Sequence, residues 1–149
     1  MKLAKLILGM ALLAAAIYLG TNLISNRSEP AAYQSPAPQI PQTKTDEQGQ
    51  VIVKITTVDL AAETPSWKFQ IVLDTHSVEL DYDFLEAVSL FDEQGKKYKA
   101  ISWEGSPPGG HHREGILTFR SIKPAPRELK MEMFNVGDIE VRNFTWKLN

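Results

Sequence analysis

Between Trp67 and Leu73 the side chains alternate: Trp67, Phe69, Ile71 and Leu73 are separated by Lys68, Gln70 and Val72. Residues two apart point to the same face of an extended strand, so this run predicts a strand with one face in a core. A helix would spread the same four side chains around its circumference. Val51, Val53 and Ile55 alternate with Ile52, Lys54 and Thr56 in the same way. Five further runs, Leu85–Phe91, Lys97–Trp103, Glu114–Arg120, Glu128–Phe134 and Ile139–Leu148, carry strand-forming residues. Turn chemistry separates them. Asp92-Glu93-Gln94-Gly95 predicts a turn with Gly95 at positive φ, Pro124 and Pro126 break the chain, and Asn135-Val136-Gly137-Asp138 predicts a second tight turn. In the last run Ile139 and Val141 share one parity, whereas Phe144, Trp146 and Leu148 share the other. That slip predicts a bulge near Arg142-Asn143.

Seven short strands without a helical period predict an all-β domain over residues 49–149. The expected architecture is a seven-stranded antiparallel immunoglobulin-like sandwich, with a small barrel as the alternative. The chain has no cysteine, which excludes a disulfide staple, a thiolate nucleophile and a sulfur-ligated zinc. The core must therefore rest on Trp67, Phe69, Leu73, Val88, Leu90, Leu117, Phe119, Met131, Phe144 and Trp146.

The first 48 residues have a different texture. Lys2 and Lys5 precede an uncharged run from Leu6 to Leu19, and apolar character continues to Leu23-Ile24. Leu3 to Ile24 matches the ~20 residues of a spanning helix. Residues 1–25 are thus expected to form one transmembrane helix, a signal-anchor with its short lysine-bearing end in the cytoplasm. Ala14-Ala15-Ala16 also fits a signal-peptidase site. Cleavage there would leave Ile17-Tyr18-Leu19 exposed at the new N-terminus, so the uncleaved anchor is the expectation. Both readings place the rest of the chain outside the cytoplasm, at the cell membrane. Residues 26–48, with Pro30, Pro36, Pro38 and Pro41 among Ser, Gln and Ala, have the composition of a disordered, semi-rigid stalk.

The formal charge is −2 and no basic stripe with interleaved aromatics is present, so nucleic acid is not an expected partner. The most unusual stretch runs from Trp103 to Gly115, with Pro107-Pro108-Gly109-Gly110-His111-His112-Arg113 at its centre. If successive strands alternate in direction, the connections 74–84, 104–113 and 135–138 emerge at one end. Loops on a rigid sandwich are where binding residues collect. Trp103, Pro107, Pro108 and Arg113 are the candidates for gripping a protein partner in the membrane or envelope. Arg113 is expected to pair with Glu114 or Asp81 and to clip the loops together.

The same geometry brings His76 toward His111 and His112, with Glu104 and Asp81 close by. Imidazole and carboxylate without thiolate suit zinc or copper. Loop histidines are more often structural, which is the competing reading. Asp74, Asp81 and Asp83 could together hold calcium or could simply make Asx turns, and the turns are preferred. Met131 and Met133 read as core rather than as copper ligands. Ser77 and Ser106 have histidines within reach, but no nucleophile elbow accompanies them, so a small hydrolase ranks behind the other two readings. Asn26-Arg27-Ser28 and Asn143-Phe144-Thr145 match the short glycosylation sequon.

Asp74-Thr75-His76-Ser77, Leu80-Asp81-Tyr82-Asp83, Trp103-Glu104-Gly105 and Gly109-Gly110-His111-His112-Arg113, taken together, resemble a signature of uncharacterised, membrane-anchored prokaryotic proteins. The resemblance covers most of the domain after Gln50. It implies a compact β-domain and no activity. The expectation is a non-enzymatic, membrane-tethered binding module, with a transition-metal-binding domain through His76, His111 and His112 as the alternative.

Overall fold

A computed structural model describes residues 40–148. The expected membrane helix, its cleavage site, the first sequon and residues 26–39 of the stalk lie outside them. Among the described residues no helix is long and apolar enough to cross a membrane.

Eight antiparallel strands make up the domain: β1 Thr43–Asp46, β2 Val51–Asp59, β3 Ser66–Thr75, β4 Val88–Asp92, β5 Lys97–Gly105, β6 His112–Arg120, β7 Glu128–Val136 and β8 Ile139–Lys147. One helical turn, α1, spans Phe84–Ala87. The strands form one continuous sheet in the order β1-β2-β3-β6-β5-β4-β7-β8, curled until it is nearly closed. An immunoglobulin-like division into two separate sheets is not seen in this order.

Four expectations need correction. Thr43–Asp46, assigned to the stalk, pairs with Val53–Thr56 as an eighth strand. Its polar sequence hid it, because an exposed edge strand needs no alternation. Leu85–Ala87, assigned to a strand, belongs to α1, which Asp83 caps by accepting a hydrogen bond from the Leu85 amide at 2.9 Å. His112 and Arg113, assigned to a loop, open β6. The bulge near Arg142 is missing: β7 and β8 stay in register from Glu128↔Lys147 to Val136↔Ile139. The actual irregularities lie at Thr57/Asp59 in β2 and Ala100/Ser102 in β5.

The apparent phase slip in β8 has a chemical cause. Arg142, Phe144 and Trp146 all face inward, and Arg142 is fully buried. An arginine occupies a core position, so hydrophobicity alone misreads the parity. Its Nε and Nη2 donate to the Val136 carbonyl at 3.1 Å, and Nη2 also donates to the Gln48 carbonyl at 2.6 Å. Nη1 forms an ion pair with Asp46. β1 and β8 are the two ends of the strand order, so this side chain bridges the sheet's open seam. Burial opposes ionisation of Asp46, but hydrogen bonds from Gln48 and the Arg142 charge outweigh it and hold the carboxyl below its ordinary range.

Every residue expected in the core is buried, joined by Val51, Val53, Ile55, Ile71, Leu129 and Met133. Phe69 meets Phe119 edge-on at 5.9 Å and Trp146 at 5.4 Å, which knits β3, β6 and β8 together. This core separates two poles. Residues 60–65, 93–96 and 121–127 turn at one, where the chain also enters through Gln42, bonded to Thr57, and leaves through Leu148, bonded to Arg127. The connections 47–50, 76–83, 106–111 and 137–138 gather at the other.

Candidate functional site

At this second pole the loops are tied to each other by named bonds. The Leu80 amide donates to the Gly110 carbonyl at 3.0 Å, and the Gly109 amide donates back to Leu80 at 2.9 Å. The Gly110 amide also donates to Glu79 Oε2 at 2.9 Å. Gly109 and Gly110 have φ of 106° and 75°, the left-handed region that glycine adopts without a Cβ penalty. Tyr82 Oη accepts from the Gly137 amide at 3.0 Å, which fastens the 137–138 turn to the 76–83 connection. Gly137 and Asp138, with φ of 63° and 61°, make the two-residue turn that Val136↔Ile139 pairing demands.

Arg113 lies beneath this platform at 1% exposure. It clips the loops, as expected, but through carbonyl oxygens rather than through Glu114 or Asp81. Nη1 donates to Leu80 at 2.9 Å and to Tyr82 at 2.7 Å, and Nη2 donates to Ser106 at 3.3 Å. Its guanidinium stacks 4.4 Å from the centroid of Phe84 and 5.9 Å from that of Trp103. Nε has no acceptor among the described residues. Burial lowers the Arg113 pKa, and the charges of Asp81 and Asp83 act in the opposite direction.

Trp103 is half-buried against Phe84, with ring centroids 4.2 Å apart. Its Nε1 donates to the Ser106 carbonyl at 3.1 Å. The indole lies across the cross-strand pair Gly105↔Gly115. A Cβ on Gly115 would come within 2.7 Å of the indole Cζ2 and within 2.6 Å of Gly105 Cα; a Cβ on Gly105 would meet the same indole atom at 2.8 Å. The two glycines are thus the flat bed on which the ring rests. Tyr82, Phe84, Leu85, Trp103, Pro107 and Pro108 line an open cleft of about 400 Å³, with Asp81 and Asp83 at its edge and Arg113 in its wall.

The expected metal residues do not converge. His112 Nδ1 lies 2.6 Å from Asp74 Oδ1, and Nε2 lies 3.9 Å from Glu114 Oε2. The two ring nitrogens face opposite ways, so these carboxylates flank the imidazole and do not share a ligand point with it. The hydrogen bond to Asp74 raises the His112 pKa; slight burial opposes this, and the charges of Asp74 and Glu114 add to it. His76 and His111 are exposed, and His111 contributes its carbonyl, which accepts from the Thr75 amide at 3.0 Å. Glu104 is exposed on β5 opposite Ile116. Asp74 and Asp83 are occupied by His112 and by the α1 cap, so the three aspartates form no calcium cage. Among the described residues no group of three or more His, Asp or Glu is placed to hold a metal ion.

Neither candidate serine meets a histidine. Ser77 Oγ donates to Gln50 Oε1 at 2.7 Å, and Ser106 Oγ bonds the Glu114 backbone at 3.2 Å. Met131 and Met133 are fully buried in the core.

The sequence singles out Trp103, Pro107, Pro108 and Arg113, whereas Tyr82 and Phe84 are unmarked members of the 74–84 connection and Leu85 reads as strand. The available signal was Asp83 followed three residues later by Glu86, the spacing of a helix N-terminus. That spacing takes Leu85 out of the strand and places it beside Phe84 at the loop pole. No family profile, curated protein or solved structure matches this chain.

Proposed function

We propose that this chain is a membrane-tethered binding module whose extracytoplasmic β-domain engages a protein partner through the cleft between residues 81–85 and 103–108. One observation carries the reading: a shallow aromatic cleft is set into a platform whose walls are locked from below by a buried arginine. Holding such a cleft open without its partner lowers the ordering cost of association. Half-exposed aromatic side chains at the centre of a patch are also what protein interfaces use as anchors. The polarity of the domain fits a tether. Among the described residues the chain enters at the pole opposite the cleft, so the entry point itself does not cover the cleft.

The test is site-specific photocrosslinking in cells. A benzophenone amino acid placed at Pro108 should yield a discrete crosslinked partner. The same group at Lys68, on the outer face of β3, should not. Equal patterns from both positions, or none from Pro108, would refute the cleft as the contact surface.

A further inference from the structure

Resting on that reading, we infer that the cleft takes an extended, proline-containing segment of the partner that carries lysine or arginine beside the prolines. The argument begins with charge. Asp74, Glu79, Asp81, Asp83, Glu104, Glu114 and Asp138 are all on the loop pole, and the elements bearing them are those that form it. The two arginines there are inaccessible, at 1% exposure for Arg113 and 0% for Arg142, and their donors are directed at carbonyl oxygens and Asp46. His76, His111 and His112 are exposed on the same pole, but the cleft itself is lined by none of them, and an approaching ligand meets Asp81 and Asp83 there. An anion aimed at Arg113 would have to pass Asp81 and Asp83 to reach a cation it cannot touch. A cationic segment is attracted over the same path, and exposed charges set both its approach and its partner choice.

Shape and chemistry then restrict the apolar part of the ligand. The cleft is open and shallow, lined by Trp103, Tyr82, Phe84 and a proline pair. Aromatic grooves of this type suit polyproline II segments, whose rings stack flat and whose conformation is already extended before binding. An amphipathic helix needs a longer apolar trough for its i, i+3, i+4 and i+7 side chains.

Tryptophan fluorescence supplies the readout. Trp67 and Trp146 are buried at 0% and 1%, so added peptide perturbs chiefly Trp103. The full-length chain in non-ionic detergent is titrated with three synthetic peptides. The first alternates prolines and leucines with flanking arginines. The second has glutamate in place of each arginine, and the third keeps the arginines but replaces the prolines by glycine and serine. The first should saturate, protect Trp103 from acrylamide quenching and weaken with added salt; the other two should bind at least tenfold more weakly. Asp81→Asn with Asp83→Asn should lower affinity for the first peptide about tenfold, because both exposed charges that line the cleft are removed. Asparagine still caps α1, so the fold is retained. Preference for the glutamate peptide, or equal binding of all three, overturns the inference. If no peptide binds while the Pro108 crosslink persists, the ligand chemistry is wrong and the contact surface stands. If both are lacking, the surface itself is wrong.

Discussion

Replacing Arg142 by methionine should destabilise the domain far more than its single side chain suggests. Methionine keeps most of the volume but none of the donors. Asp46 loses the cation that offsets its burial, and the Val136 and Gln48 carbonyls lose the donors that now reach them at 2.6–3.1 Å. The Asp46 side chain is only 11% exposed, so water recovers little of the lost interaction. Breaking one partner of a buried pair costs about 3–5 kcal/mol, and even the lower end of that range is a large effect. About 3 kcal/mol corresponds to a fall in Tm of roughly 12 °C for a domain of this size. Urea denaturation of wild type, Arg142→Met, Asp46→Asn and the double variant at pH 7 measures the coupling, which should reach about 2 kcal/mol. Acid provides an independent check. The folded pKa of Asp46 lies below 3.8, so its stabilisation is complete above 3.8 and is lost as pH falls through the lower folded value. Arg142→Met should flatten the stability profile in that acid range. Additive single variants, or a loss below about 1 kcal/mol, would show that the seam is held by strand packing and not by this arginine.

Three smaller changes test the site. Gly115→Ala should lift Trp103 off its bed, cost about 2 kcal/mol and shift tryptophan emission to the red; unchanged emission would mean that the indole does not lie on the glycine pair. Tyr82→Phe should cost about 1 kcal/mol by leaving the Gly137 amide without its acceptor, and amide exchange at Gly137 should accelerate; unaltered exchange would show that the 76–83 and 137–138 connections are not coupled there. His112→Asn should remove a pH dependence. The folded pKa of His112 is raised above 6.5, so the stabilisation from its pair with Asp74 is complete below 6.5 and disappears as pH rises through the folded value. Thermal melts across pH 6 to 8 should slope downward in wild type and be flatter in the variant, and identical slopes would count against the pairing.

The alternation at Val51–Ile55 and Trp67–Leu73 determined those strands and their inward faces on its own, because a strand's two faces are separated by parity alone. Turn residues did the same for Asp92–Gly95 and for Gly137-Asp138, where φ of 79°, 63° and 61° follows from the residue types. Alternating strand direction joined residues 104–113 to 74–84, and the backbone bonds of Leu80 to Gly109 and Gly110 show that contact. Tertiary structure decided everything that depends on one long side chain meeting a distant backbone. Arg142 and Arg113 look like surface residues in the sequence, since burying an arginine is unfavourable unless its donors are all but satisfied. The satisfying carbonyls, at Gln48 and Val136 for one and at Leu80, Tyr82 and Ser106 for the other, lie on different strands and loops. For the same reason the three histidines, each an equal candidate by composition, separated only in space. One became the partner of Asp74, and the other two stayed in solvent while the backbone of one tied the loops.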